Sequence, residues 1–210
     1  MSGVLSRDAF SGGLLSMKWR DLLFAHWPVA PRMVAAGLPE GVAVDTYDGD
    51  PGVYFFDLDA GDRVGVRIAR SVFQLPYYRA EMDVQTQGSG RGREVRFRSR
   101  RTSADAPPAV FEATYGPDGS FSTPDPGSEA AFLTERYRFY TTDDDGRVYH
   151  GDIDHEPWSL APGRAEIREN GLFEANGFEE PAGEPLLQFA APITVMAGRI
   201  RRASPREATY

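Results

Sequence analysis

Phe132-Leu133-Thr134-Glu135-Arg136-Tyr137 sets a carboxylate, a guanidinium and a phenol side by side after a short apolar run. At a junction between helix and strand, adjacent charges can be aimed at the mouth of a cavity. Equally, Glu135 and Arg136 can pair with neighbours and fix the junction while Tyr137 packs inward. Arg70, followed across Pro76 by Tyr77 and Tyr78, offers a planar fork that suits a carboxylate, with phenols beside it. Near the end of a helix, the same cation would settle the helix dipole instead. His155 and Trp158 flank Glu156-Pro157, a stiff loop able to stack on a small molecule or to anchor the chain. A histidine there can exchange a proton near neutral pH. His26, beside Trp27 in an apolar stretch, reads as a core residue.

Other chemistries lack their residues. The chain has no cysteine and three histidines, so neither a disulfide framework nor a thiolate site can form, and no metal or cofactor is expected. No Gly-rich phosphate loop, nucleophile elbow or acid cluster at ligand spacing is present. The net charge is -8, which disfavours a general nucleic-acid binder. The basic stretch from Arg91 to Arg101 holds one aromatic residue, Phe97, and the alternation turns it inward, so the arginines form a solvated strand face. No apolar run approaches the roughly 18 residues of a membrane span, and charge breaks the first residues too early for a secretory segment. Neither a nucleic acid nor a membrane is expected as partner, and the expected location is the cytoplasm.

The elements that must position these residues are mostly strands. Residues 1–16 read as a flexible leader, 17–203 as one domain and 204–210 as a flexible tail. Trp19 to Val29 reads as one strand apolar on both faces. Pro31 fits the first turn of a short helix, and Asp48-Gly49-Asp50-Pro51-Gly52 is a dense turn before the aromatic strand Val53 to Leu58. Asp62 can cap a helix whose inner face is Val64, Ile68 and Val72. Gly88-Ser89-Gly90 turns one strand into the alternating Arg93 to Arg101, and Val110 to Tyr115 extends again. Ser128 can cap a helix from Glu129 to Glu135, followed by a hairpin turning at Asp145-Gly146. Ala165 to Arg168, Leu186 to Ala190 and Ile193 to Ile200 complete the extended segments. The expected class is α+β, mostly antiparallel β, with two or three short helices and a closed or nearly closed sheet.

The motifs Trp19-Arg20-Asp21-Leu22-Leu23-Phe24-Ala25-His26-Trp27-Pro28-Val29, Asp45-Thr46-Tyr47-Asp48-Gly49 and Gly52-Val53-Tyr54-Phe55-Phe56-Asp57-Leu58-Asp59-Ala60 resemble those of the bacterial and archaeal YqjF-like family, DUF2071. Ala69-Arg70, Leu75-Pro76-Tyr77-Tyr78-Arg79-Ala80, Phe132 to Tyr137 and His155-Glu156-Pro157-Trp158 continue the resemblance in order, from about Met17 to Arg201. The family is uncharacterised and similar in fold to acetoacetate decarboxylase, an antiparallel β-cone or barrel with a central cavity. That enzyme forms a Schiff base on a lysine whose pKa a neighbouring cation depresses. Here Lys18 is the single lysine, so the resemblance does not extend to that mechanism.

The chain also departs from the family in length. Members carry roughly forty further residues after the Asp-Tyr-Asp-Gly element, and two strands lost from a closed sheet would leave two unpaired edges. The repeated Asp and Gly of Asp48-Gly49-Asp50-Pro51-Gly52 fit a deletion between short repeats. Two functions follow as expectations. One is a small-molecule-binding barrel whose ligand is a carboxylate or carbonyl compound, bordered by Arg70, Tyr77, Tyr78, Glu135, Arg136, Tyr137, His155 and Trp158. The other is a non-catalytic interaction or scaffold module that binds a partner, or a second copy of itself, through exposed sheet edges.

Overall fold

The computed structural model describes residues 15–36, 38, 44, 46–47, 53–57, 63–68, 71–74, 80–102, 107–143 and 145–203, with 53–57, 63–68, 71–74, 80 and 142 described by backbone alone. The strands are β1 (Leu15–Trp19), β2 (Leu22–Pro28), β3 (Val53–Asp57), β4 (Arg63–Ile68), β5 (Ser71–Gln74), β6 (Ala80–Gln87), β7 (Glu94–Arg101), β8 (Val110–Pro117), β9 (Arg138–Thr142), β10 (Val148–Asp154), β11 (Leu160–Asn170), β12 (Leu186–Ala190), β13 (Ile193–Ala197) and β14 (Arg201–Arg202). Among the described residues three short α-helices accompany them: α1 (Pro31–Ala35), α2 (Glu129–Thr134) and α3 (Leu172–Ala175). The sheet runs β1-β13-β10-β9-β5-β4-β3-β2-β12-β11-β8-β7-β6, with β14 beside β10. Its described pairings are antiparallel except β5 with β9. Among the described residues the path does not close: β1 and β6 are its two ends.

β2 organises the interior. Leu22 to Trp27 are all buried, because both faces of this strand are covered. Leu23, Ala25 and Trp27 look into the larger cluster, where they meet Val95, Phe97, Phe111, Tyr115, Phe173 and Phe189. Leu22 and Phe24 look the other way, into a smaller cluster with Trp158, Leu160 and Ala190. The period-two alternation of an extended chain thus sorts one apolar run into two compartments.

The run from Trp19 to Val29 is not one strand. It breaks at Asp21, whose φ is +57°, a left-handed conformation that Asp tolerates better than most residues. The corner is sewn to the distant start of β7 and to β8: Arg93 donates to both Asp21 carboxylate oxygens at 2.7 Å, and Tyr115 Oη donates to the Asp21 carbonyl at 2.9 Å.

The helix expected after Asp62 is absent; β4 and β5 stand in its place. Val64, Val66 and Ile68 fit period two as well as Val64, Ile68 and Val72 fit a helix, and Gly65 in a helix interior costs about 1 kcal/mol. Backbone pairing with β3 on one side and β5 on the other decides between them. Arg70, expected at the end of that helix, lies outside the described residues. The third helix is α3, which the Asn170-Gly171 and Asn176-Gly177 turns bracket. β1 also begins at Leu15, inside the stretch expected to be leader.

The alternation in β7 holds as expected. Val95, Phe97 and Ser99 are buried while Arg96, Arg98 and Arg100 are exposed. These arginines pair with Glu94, Glu112 and Glu81.

Candidate functional site

The smaller face of β2 is roofed by the segment that leaves α2. Ser128 caps this helix by accepting the Ala131 N–H at 3.2 Å, and Thr134 Oγ1 donates to the Ala130 carbonyl at 2.8 Å as the helix ends. Glu135, at the C-terminal boundary, has left the helical conformation. Its side chain turns toward the loop after β10. There Glu135 Oε1 accepts the Trp158 backbone N–H at 3.0 Å, and Oε2 accepts the Tyr137 hydroxyl. Both carboxylate oxygens are thus engaged with groups of the protein.

Around this carboxylate the aromatic rings stack in series. Tyr137 lies on His155 with centroids 4.7 Å apart, and His155 contacts Trp158 at 5.0 Å. Trp158 meets Phe24 edge-on at 5.2 Å and lies 6.2 Å from Trp19. The ring nitrogens of His155 approach two carbonyl oxygens, Nδ1 that of Glu156 at 2.7 Å and Nε2 that of Arg136 at 3.3 Å. A neutral imidazole can donate to one of them, a charged one to both. Burial, then the hydrogen bond to Glu135 and the nearby negative charges, raise the Tyr137 phenol well above its ordinary value, so it remains a donor.

Arg136 packs over Phe132 of α2. It is 5% exposed, with its guanidinium 5.1 Å from the centroid of Phe132. Its charge reaches His26 on β2. Burial, and secondly the positive Arg136, push the His26 imidazole down to about 3. At neutral pH His26 is therefore uncharged, an imidazole with one N–H donor and one acceptor nitrogen.

His26 lines a cleft of about 330 Å3 together with Pro28, Glu129, Leu133, Glu184, Pro185 and Leu186. The register explains the company: Leu186 on β12 stands opposite His26 and Gln188 opposite Phe24, so these side chains share a face. On α2, Glu129 and Leu133 are four residues apart, one turn of one helix face. Gln188 is 9% exposed, and its amide oxygen is buried without a hydrogen bond among the described residues.

The structure therefore brings Glu135, Arg136, Tyr137, His155 and Trp158 into one constellation. Arg70, Tyr77 and Tyr78 lie outside the described residues. Sequence reasoning missed His26 as a cleft residue, because an imidazole in an apolar run looks like core. It missed Leu133 and Leu186 as well: Leu133 stands inside a motif read for its charged residues, and Leu186 stands in none. Lys18 is exposed on β1 and is not among the residues that line the cleft. Among the described residues no group of three His, Asp or Glu side chains could hold a metal ion, and no helix is long and apolar enough to cross a membrane.

With this geometry established, similarity to known proteins becomes informative. The DUF2071 family model, an uncharacterized conserved protein, matches residues 16–51 and 47–194. The two matches overlap at 47–51, so those residues fit both sides of one interruption. Uncharacterized protein YqjF of Bacillus subtilis (strain 168) is 32% identical over 232 residues, 91% of this chain and 93% of the relative. Ninety-one per cent of 210 residues is about 191, so about forty positions of that alignment have no counterpart here. Among solved structures, an acetoacetate decarboxylase-like enzyme from Sphingomonas wittichii RW1 superposes with TM-score 0.54 at 12% identity, over 97% of this chain and 99% of that one. The enduracididine biosynthesis enzyme MppR with HEPES buffer bound gives 0.51 at 13% identity, over 97% and 94%. MppR complexed with pyruvate gives 0.50 at 13% identity, over 98% and 97%. At such identities the likeness shows the fold, which is acetoacetate decarboxylase-like.

Proposed function

Because this chain belongs to the DUF2071 family of uncharacterized conserved proteins and has an acetoacetate decarboxylase-like fold, we propose that it binds a small carbonyl or carboxylate compound in the cleft lined by His26. The observation that carries this proposal is a buried, uncharged imidazole lining a cleft of about 330 Å3, with the Arg136 charge close enough to be felt at the ring. A neutral imidazole can donate to a carbonyl oxygen without first losing a charge to solvent, and a buried guanidinium biases that end of the cleft toward negative charge. The volume lies at the lower end of the range for small-molecule sites. Glu129 and Glu184 line the same cleft, so the ligand presents a neutral or hydrogen-donating part to them. MppR, which is similar in fold, is known complexed with pyruvate, a compound carrying both a carbonyl and a carboxylate.

Under this proposal Glu135, Tyr137, His155 and Trp158 hold the roof, His26 borders the ligand, and Arg136 acts through its charge from outside the lining. A thermal-shift screen of 2-oxo acids, short carboxylates and aldehydes tests it. At least one compound is expected to raise the Tm of the wild type, and Leu186→Trp, which fills the cleft from a partly exposed position, is expected to abolish the shift. No stabilising compound, or equal stabilisation of Leu186→Trp, overturns the proposal.

A further inference from the structure

The two ends of the sheet are unequal. A free edge strand offers unpaired N–H and C=O groups to any passing strand, and soluble proteins guard such edges with lysine, proline, bulges or inward-pointing charge. β1 carries the single lysine of the chain, Lys18, and it is exposed. β6 carries neither lysine nor proline. Its pairing with β7 runs without a bulge from Ala80 opposite Arg101 to Gln87 opposite Glu94.

β6 also leaves an apolar row uncovered. Directly opposed residues of an antiparallel pair share a face, so Met82, Val84 and Thr86 stand beside Ser99, Phe97 and Val95. Those three β7 residues are buried, whereas Met82 is 52% exposed and Val84 50%. The core-facing side of the sheet thus continues one strand beyond its cover.

We propose that β6 pairs antiparallel with β6 of a second copy of this chain, across a twofold axis perpendicular to the sheet, with Val84 opposite Val84. Such an axis keeps each face of the sheet on the same side, and the contact closes on itself. The sequence of β6 is self-complementary in this register. Met82 opposes Thr86 of the other copy, Asp83 opposes Gln85 and Glu81 opposes Gln87, so each carboxylate faces a primary amide. Centring the axis on Asp83 would set two aspartates directly against each other, which is unfavourable. A foreign basic strand finds less to attract it, because Glu81 is already paired with Arg100 at 2.6 Å and Asp83 stands opposite Arg98. The two apolar rows would join into one.

The absence of cysteine makes the test clean. Light scattering on a sizing column is expected to give twice the 23.2 kDa chain mass, and Val84→Lys is expected to give a monomer with unchanged far-UV circular dichroism. Val84→Cys is expected to oxidise to a disulfide-linked dimer at least tenfold faster than Gln87→Cys, whose two copies lie far apart in this register. A monomeric wild type, a dimer that Val84→Lys leaves intact, or equal crosslinking at both positions overturns the proposal.

Discussion

Glu135 and Trp158, 23 residues apart in the chain, are joined through the Trp158 backbone N–H, which donates to Glu135 Oε1 at 3.0 Å. The bond ties the exit of α2 to the loop after β10, and the second carboxylate oxygen holds Tyr137 against His155. Replacing Glu135 by Ala leaves a shielded N–H and a phenol without their acceptor, a loss of about 1–3 kcal/mol. Glu135→Gln keeps an acceptor and is expected to lose less. Urea midpoints for the two variants check this; equal midpoints for Glu135→Ala and wild type would contradict the structural role.

His26 makes stability depend on acidity in a defined direction. Its folded value of about 3 lies below the ordinary 6.5, so between those limits the unfolded chain binds more protons than the folded one. Stability then rises with pH across this window, is complete above about 6.5, and falls by an amount on the order of a few kcal/mol as pH drops toward 3. Denaturation at pH 7 and pH 4.5 is expected to show a smaller difference for His26→Asn than for the wild type. In NMR titration the His26 ring protons are expected to stay in their neutral position down to pH 4.5.

The Asp21 corner combines a left-handed backbone with a two-point ion pair, and substitutions separate these contributions. Asp21→Asn keeps a residue that tolerates the left-handed region and is expected to cost about 1 kcal/mol for the lost charge. Asp21→Ala adds the strain of the left-handed conformation, about 1 kcal/mol more. In a double-mutant cycle with Arg93→Ala, coupling near zero would show that the contact does not hold the corner.

Phe111 is fully buried in the larger cluster. Truncation to Ala is expected to cost about 3–5 kcal/mol. Arg98→Ala, on the opposite wet face of the neighbouring strand β7, is expected to change stability by less than about 1 kcal/mol. Guanidinium midpoints that failed to separate these two variants would contradict the sidedness of the sheet.

Local rules reached the elements whose signals are local. The Ser128 cap, the hairpin turning at Asp145-Gly146 and the two faces of β7 each follow from a few adjacent residues. The segment after Asp62 did not yield, because Val64, Ile68 and Val72 satisfy a helix while Val64, Val66 and Ile68 satisfy a strand. Only β3 and β5 on either side decide the matter, and neither is visible at that point in the chain. The break at Asp21 was hidden for a related reason: its partner Arg93 is 72 residues away. The candidate site was legible as separate motifs, but the proximity of His26 to Arg136 depends on how α2 lies over β2. No spacing in the sequence encodes that.

β2 is a wall shared by two rooms. Ala25 faces the larger cluster and its neighbours Phe24 and His26 face the cleft side, on a backbone too short to bend independently for each. An enlarged side chain at Ala25 would push the strand toward the cleft and alter its shape without touching anything that enters it. Packing in the deep core is therefore coupled to the width of the cleft, and one substitution would move both.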